Sequence, residues 1–226
     1  MSPDGGAEVK PGDGATAADA TTDDAMDGAP DDVIEMDGAT DDTLDAAMDE
    51  PVDTLVEVAV DRGGGEVACN AVVAQHADEG GQHLEICSPT LYGTNPPSSG
   101  SHYGTWPAYR TYANPVPAGF LVHGLEHGAV VIGYNCPGGC AAEVARAQAF
   151  IDALPLDVAC AAPKRIILAP DPTLTVRFAA ATWTWTLRAD CFDEGVFGAF
   201  VGEHYDHAPE SICIGGSDLS ATGWCP

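Results

Sequence analysis

Residues 94–136 read TNPPSSGSHYGTWPAYRTYANPVPAGFLVHGLEHGAVVIGYNC, and the rest of the chain is organised around this stretch. It opens with a segment rich in proline and glycine, a composition that disfavours regular secondary structure. It ends in an apolar, β-branched run at residues 129–135, which predicts a buried strand. We therefore expect a long irregular segment, a short helix and a central strand in succession.

The pentad from His123 to His127 carries most of the functional signal. Pro117 suits the first turn of a helix, and Gly124 and Gly128 limit that helix to about two turns. Histidines four positions apart share one face of a helix, within reach of a single ion. With Glu126, the pentad also matches H-x-x-E-H, the inverted zinc-protease signature, in which the histidines bind zinc and the glutamate polarises water.

The hydrolase interpretation is the weaker one. A zinc protease needs a long, rigid motif helix, whereas a strand is predicted to start directly after His127. It also needs a third protein ligand, for which Glu203 on the last predicted helix is a candidate without further support. If the protein is a hydrolase, Glu126 is its catalytic base.

A metal site without turnover fits the pattern better. The loop that contains His102 can fold back over the pentad, which would give a set of three imidazoles, His102, His123 and His127. Neutral imidazoles suit zinc or copper(II), and Glu126 would hold a ring N–H or act as a fourth ligand. The third hypothesis, a metal-free structural or interaction domain, has these histidines making hydrogen bonds around the loop.

Composition divides the chain into two parts. Residues 1–62 contain 19 of the 35 acidic residues and only two basic residues, which gives a formal charge of −17, and they contain no aromatic residue or cysteine. Such a segment cannot bury enough apolar surface to fold, so we predict a disordered acidic linker. Residues 63–226 are predicted to form a single globular domain. The acidity of both parts disfavours nucleic-acid binding.

An even number of cysteines in a modest domain predicts disulfides and an oxidising compartment. Eight cysteines permit 105 pairings, of which pairing between sequence neighbours is the simplest. That scheme joins residues 69 with 87, 136 with 140, 160 with 191, and 213 with 225.

The start of the chain has no apolar run typical of a signal peptide, and no stretch is long enough to span a membrane. An acidic linker ahead of a cysteine-containing domain nevertheless resembles the tether of an exported bacterial lipoprotein. We therefore expect a periplasmic, cell-envelope or extracellular location, with an export leader that is absent from this sequence and a possible membrane tether.

The remaining pattern predicts two main helices, at residues 140–154 and 193–205. Further strands are predicted at residues 164–170 and at 182–188, where TWTWTLR alternates in a way typical of a strand with one face in solvent. Residues 65–75 fit either a strand or a short helix. The expected fold is α+β, with a small mixed or antiparallel sheet and disulfide cross-links.

The phrases NPPSSGSHYGTW and PVPAGFLVHGLEHGAVVIGYNC, followed by RIILAP and the tryptophan-bearing segment, resemble a bacterial family, domain of unknown function 3105. The resemblance covers about residues 94–205. It implies that His102, His123, Glu126 and His127 form a shared polar core, and it implies no established activity. Two departures are Ser101, where the family tends to have proline, and TWTWTLR, where it more often has a tryptophan–glycine phrase.

Overall fold

The computed structural model describes residues 55–59, 69–160, 164–221 and 223–225, all within one unit, Met48–Pro226. The strands are β1 Leu55–Ala59, β2 Asn70–Gln75, β3 His83–Leu84, β4 His102–Tyr103, β5 Val130–Tyr134, β6 Ile166–Pro170, β7 Phe178–Thr182 and β8 Trp185–Ala189. The helices are α1 Ala118–Glu126, α2 Ala141–Ala153 and α3 Glu194–His204.

Six strands form one mixed sheet in the order β1-β2-β8-β7-β5-β6. All neighbours are antiparallel except β5 and β6, which are parallel and are connected through α2. The short strands β3 and β4 form a separate parallel pair in which His83 lies opposite His102. The predicted α+β class with a mixed sheet is confirmed.

Both faces of the central strands are buried, which explains their continuous apolar sequences. Along β5, Val130 and Ile132 face one apolar cluster, and Val131 faces the other. Helices α2 and α3 cover the first face, and α1 and the irregular segment that precedes it cover the second. The pentad therefore lies on the opposite side of the sheet from α2 and α3.

Helix α1 ends at Glu126, just before Gly128, which has a left-handed backbone with φ 83°, whereas Gly124 lies inside the helix and does not limit it. The N–H of Gly128 donates to the carbonyl of Leu125, and the N–H of Ala129 donates to that of Gly124. This paired bonding is the Schellman ending, which favours glycine because a side chain is strained at positive φ. His127 is the C-cap and lies just outside the helix.

The strand predicted over TWTWTLR is wrong, because the segment spans a hairpin turn. Thr182 ends β7, Trp183 and Thr184 form the turn, and Trp185 begins β8. The two tryptophans consequently pack on opposite faces of the sheet. Thr186 is buried rather than facing solvent, and its hydroxyl lies 2.8 Å from Nε2 of His76. Alternating strand-forming residues do not reveal a two-residue turn placed among them.

The disulfide between Cys136 and Cys140 is confirmed, whereas the other three neighbour pairings are wrong. The pairing of β2 with β8 places Ala71 opposite Ala189, so the cysteines that flank those strands meet across the sheet. Strand pairing thus brings together cysteines that are distant in sequence. The observed bonds are Cys69–Cys191, Cys87–Cys225 and Cys160–Cys213.

The predicted acidic linker, residues 1–62, lies outside the described residues except for β1. That strand pairs antiparallel with β2, with Leu55 opposite Ala74, so regular structure occurs within the range assigned to the linker. Residues 65–75, which fit either a strand or a helix, contain β2. Among the described residues, no helix combines the length and the apolar character needed to cross a membrane.

Candidate metal centre

The four polar residues singled out in the sequence are all buried and lie together. His102 comes from β4, His123 and Glu126 come from α1, and His127 follows directly after that helix. Their exposed fractions are 0% for His102, 3% for His123, 7% for Glu126 and 2% for His127. Buried groups of this kind require partners, because removing a polar group from water is unfavourable unless the lost hydrogen bonds are replaced.

Close packing of α1 on β4 sets the geometry. A Cβ atom at Gly119 would lie 2.6 Å from the ring of Tyr103, so only glycine lets the helix come this near. The carbonyl of Tyr103 accepts a hydrogen bond from Nδ1 of His123 at 2.6 Å. The contact between helix and strand therefore also orients the first imidazole of α1.

The ring of His102 is held in the same manner. Its Nδ1 atom lies 2.9 Å from the carbonyl oxygen of Gly100. A carbonyl oxygen can only accept, so both His102 and His123 carry a proton on Nδ1. In the neutral ring, Nε2 then presents a lone pair, which faces Glu126 in His102 and faces His127 in His123.

Nε2 of His102 lies 2.9 Å from Oε2 of Glu126. A neutral imidazole in this tautomer and an ionised carboxylate would direct two acceptors at each other. The contact is favourable only when a cation, either a proton or a metal ion, lies between the two atoms. This acceptor pair is the central chemical feature of the cluster.

His83 joins the cluster through the pairing of β3 with β4. Its ring stacks on that of His123 with centroids 4.7 Å apart, and its Nε2 lies 3.5 Å from Oε2 of Glu126. The side chain is 54% exposed, so the cluster opens to solvent here. One donor atom each from His83, His102, His123 and Glu126 lies within 4.8 Å of the others.

His127 belongs to an adjoining group that again includes Glu126, together with Glu210. Its Nε2 lies 3.2 Å from Nε2 of His123 and 3.3 Å from Oε2 of Glu210. The backbone N–H of Glu210 donates to the carbonyl of Glu126 at 3.1 Å, which ties the segment after α3 to the end of α1. The predicted set of His102, His123 and His127 is thus divided between two groups that share Glu126.

Buried Arg165 stabilises the end of α1 through hydrogen bonds and ion pairs. Its Nη1 donates to the carbonyl of His127 at 2.9 Å and pairs with Asp206, and its Nη2 lies 3.2 Å from Asp157. The hydrogen bond from Arg165 holds the pKa of Asp206 below its usual value. The guanidinium therefore connects the end of α1 to two loops through charge-assisted bonds.

Burial favours the neutral form of His123 and of His127. It lowers the pKa of His123 to about 4, an effect that the hydrogen bond to Tyr103 partly offsets and the neighbouring histidines reinforce. Burial also lowers the pKa of His127, although Glu210 and Glu126 act in the opposite direction. Neutral imidazole is the form that binds metal ions.

The third ligand considered for a zinc hydrolase does not join the cluster. Glu203, the candidate third ligand, is exposed on α3, which packs on the other face of the sheet. His127 is the C-cap of α1, and its Nε2 atom lies 3.2 Å from Nε2 of His123.

A family model described as "Protein of unknown function (DUF3105)" matches residues 83–214, which is more than half of the chain. The chain belongs to this family. The resemblance noted in the sequence is thereby confirmed for DUF3105. No curated protein and no solved structure matches the chain.

Sequence reasoning missed His83 and Glu210. Both lie inside the DUF3105 match but outside residues 94–205, the range over which the resemblance was recognised. No spacing rule connects either residue to the pentad, since His83 reaches it through strand pairing and Glu210 through a backbone hydrogen bond. The extent of the family match is the one sequence-level signal that includes them.

Proposed function

We propose that this protein binds a transition-metal ion, zinc or copper, through His83, His102 and His123, with Glu126 as the fourth donor. Its role would be to bind or handle the metal rather than to catalyse a reaction. The observation that carries the proposal is the orientation of two rings. His102 and His123 both donate Nδ1–H to backbone carbonyls, which leaves the Nε2 lone pair of His102 directed at Glu126 and that of His123 directed at His127.

A backbone carbonyl bonded to the far nitrogen is the usual support for a metal-binding histidine, because it fixes the tautomer and the ring orientation. A carboxylate 2.9 Å from one of the free nitrogens supports a cation there. Three imidazoles and one carboxylate suit zinc or copper(II) better than calcium or magnesium, which prefer oxygen ligands.

Four protein donors can complete a tetrahedral zinc site, and a filled coordination sphere favours binding over turnover. The described disulfides fit an oxidising compartment, so the proposal includes an exported location. No feature of the described residues favours the zinc hydrolase to the same degree.

The test is metal titration of protein prepared without a polyhistidine tag, with Zn(II), Cu(II) and Cu(I) in separate experiments. The variant His83→Ala removes a half-exposed donor and should leave the fold intact. We expect affinity for the first ion to fall at least about tenfold. The matched control is His207→Ala, which removes an exposed histidine after α3 and should change nothing.

A wild-type protein that binds none of these ions at micromolar concentration would overturn the proposal. Equal affinities for the wild type and His83→Ala would remove His83 from the ligand set. In that case metal titration of His102→Ala would decide whether the site is elsewhere, and an unfolding measurement would check that this variant still folds.

A further inference from the structure

Glu126 belongs to both groups of potential ligands. One group contains His83, His102 and His123, and the other contains His127 and Glu210. The groups meet where Nε2 of His123 lies 3.2 Å from Nε2 of His127. A carboxylate has two oxygens and about four lone-pair directions, so one glutamate can serve both groups.

The contacts of His127 place its Nε2 atom where a cation could bind. Its Nε2 faces Nε2 of His123, which is an acceptor, and Oε2 of Glu210, which is also an acceptor. With its proton on Nε2, His127 can donate to either acceptor, whereas with its proton on Nδ1 its Nε2 presents a lone pair to both, an arrangement that a bound cation would satisfy. Among the described residues, Nδ1 of His127 is buried without a hydrogen-bond partner, and the ring packs edge-on against Trp106 with centroids 4.4 Å apart.

We infer that the cluster holds a second divalent cation, coordinated by His127, Glu210 and Glu126, with Glu126 bridging the two ions. This inference rests on the proposed function, because the bridge requires an ion in the first group. Paired ions in carboxylate-bridged centres lie roughly 3.5–4 Å apart.

The second position differs chemically from the first. One imidazole and two carboxylates form a harder donor set, which favours zinc or manganese(II) over copper(I). Three protein ligands leave a coordination position open. Because the Glu210 side chain is 48% exposed, that position faces solvent and is accessible to water or a small anion.

The experiment measures zinc stoichiometry by native mass spectrometry and calorimetry on the full chain. We expect two ions per chain for the wild type and one for Glu210→Ala. That variant should fold, since the bond from Glu210 to Glu126 is made by the backbone N–H. The matched control, Glu203→Ala, removes an exposed glutamate from α3 and should retain two ions.

A second readout tests the bridge. With two Cu(II) ions per chain, we expect a dipolar-coupled paramagnetic resonance spectrum with a half-field transition, which Glu210→Ala should abolish. One ion in both wild type and Glu210→Ala would overturn the second site and leave the proposed function standing, whereas no ion in either would overturn both. Two uncoupled ions, or two ions retained in Glu210→Ala, would also contradict the bridged arrangement.

Discussion

The Nε2 atom of His102 lies 2.9 Å from Oε2 of Glu126, and both side chains are buried. Because Nδ1 of His102 donates to the carbonyl of Gly100, the neutral ring has no proton to offer the carboxylate. A shared proton would make this contact a structural ion pair, whereas a metal ion between the two atoms would bind both of them as ligands. The two explanations predict opposite responses to the same substitution.

The substitution Glu126→Gln separates these explanations. The amide of glutamine can donate to Nε2 of His102, so it removes the repulsion between acceptors while deleting the negative ligand. If the site is built for a metal, we expect the unfolding free energy of the metal-free protein to stay within about 1 kcal/mol and metal affinity to fall at least about tenfold. Urea unfolding of chelator-treated protein, together with zinc titration, measures both quantities. A loss of stability of about 3 kcal/mol or more would instead identify a buried ion pair.

Gly81 packs directly against the carboxylate. A Cβ atom there would overlap Oε1 of Glu126 and lie 3.5 Å from Cε1 of His102. Because the glutamate can move its terminal group aside, Gly81→Ala should change stability by less than about 1 kcal/mol and still weaken metal binding. The control is Gly138→Ala, where a Cβ atom meets nothing within 4 Å. Equal metal affinities for the two variants would show that the position of this carboxylate is unimportant.

Arg165 is expected to stabilise the fold through the end of α1. Replacing it by methionine leaves Asp157 and Asp206 without their cation and the carbonyl of His127 without a donor. We expect thermal and urea unfolding to show a loss of about 2–4 kcal/mol. The substitution Arg188→Met, on the exposed side of β8, should stay within about 0.5 kcal/mol. A similar small change at both positions would refute the structural role of the buried guanidinium.

The disulfides should differ in their contribution to stability. Cys160 and Cys213 are 53 residues apart, whereas Cys136 and Cys140 are four apart. A cross-link stabilises mainly by restricting the unfolded chain, so replacing the first pair by serines should cost about 4 kcal/mol and replacing the second about 2 kcal/mol. Urea unfolding of the two double variants measures the difference. The reverse ranking would show that native-state contacts outweigh loop entropy here.

His204 should make stability depend on pH. It is buried with its ring stacked 4.4 Å from Trp185, and burial lowers its pKa below the usual 6.5, although Glu203 partly offsets the effect. Above pH 6.5 the ring is neutral in both the folded and the unfolded states. As the pH falls further, the unfolded chain takes up the proton first, so the unfolding free energy decreases, by at most about 1.4 kcal/mol per pH unit for one proton.

The variant His204→Phe keeps an aromatic ring and removes the titration. Its unfolding free energy should therefore decline less than that of the wild type between pH 7 and pH 5, measured in urea without metal. His207→Ala, an exposed change close by, should retain the wild-type slope. Because burial also lowers the pKa values of His123 and His127, the comparison lies in the difference between variants. Identical slopes for all three proteins would show that His204 does not contribute to the pH dependence of stability.

The predictions that depended on local sequence were the most successful. Gly128 marked the end of α1, and the apolar runs that became β5 and β6 were recognised as buried strands. The hairpin turn at Trp183 was missed because its residues are themselves strand formers. Local preference identifies an element when the turn residues differ chemically from the strands, and it fails when they do not.

The sequence by itself determined the α+β class, the disulfide content and the membership of His102, His123, Glu126 and His127 in one polar core. Only the tertiary structure decided which further residues join this core and which cysteines form each disulfide. His83 reaches the core because β3 pairs with β4, and Cys69 reaches Cys191 because β2 pairs with β8. The physical reason is that periodicity and turn chemistry act over a few residues, whereas ligand sets and disulfides depend on which strands become neighbours in the sheet.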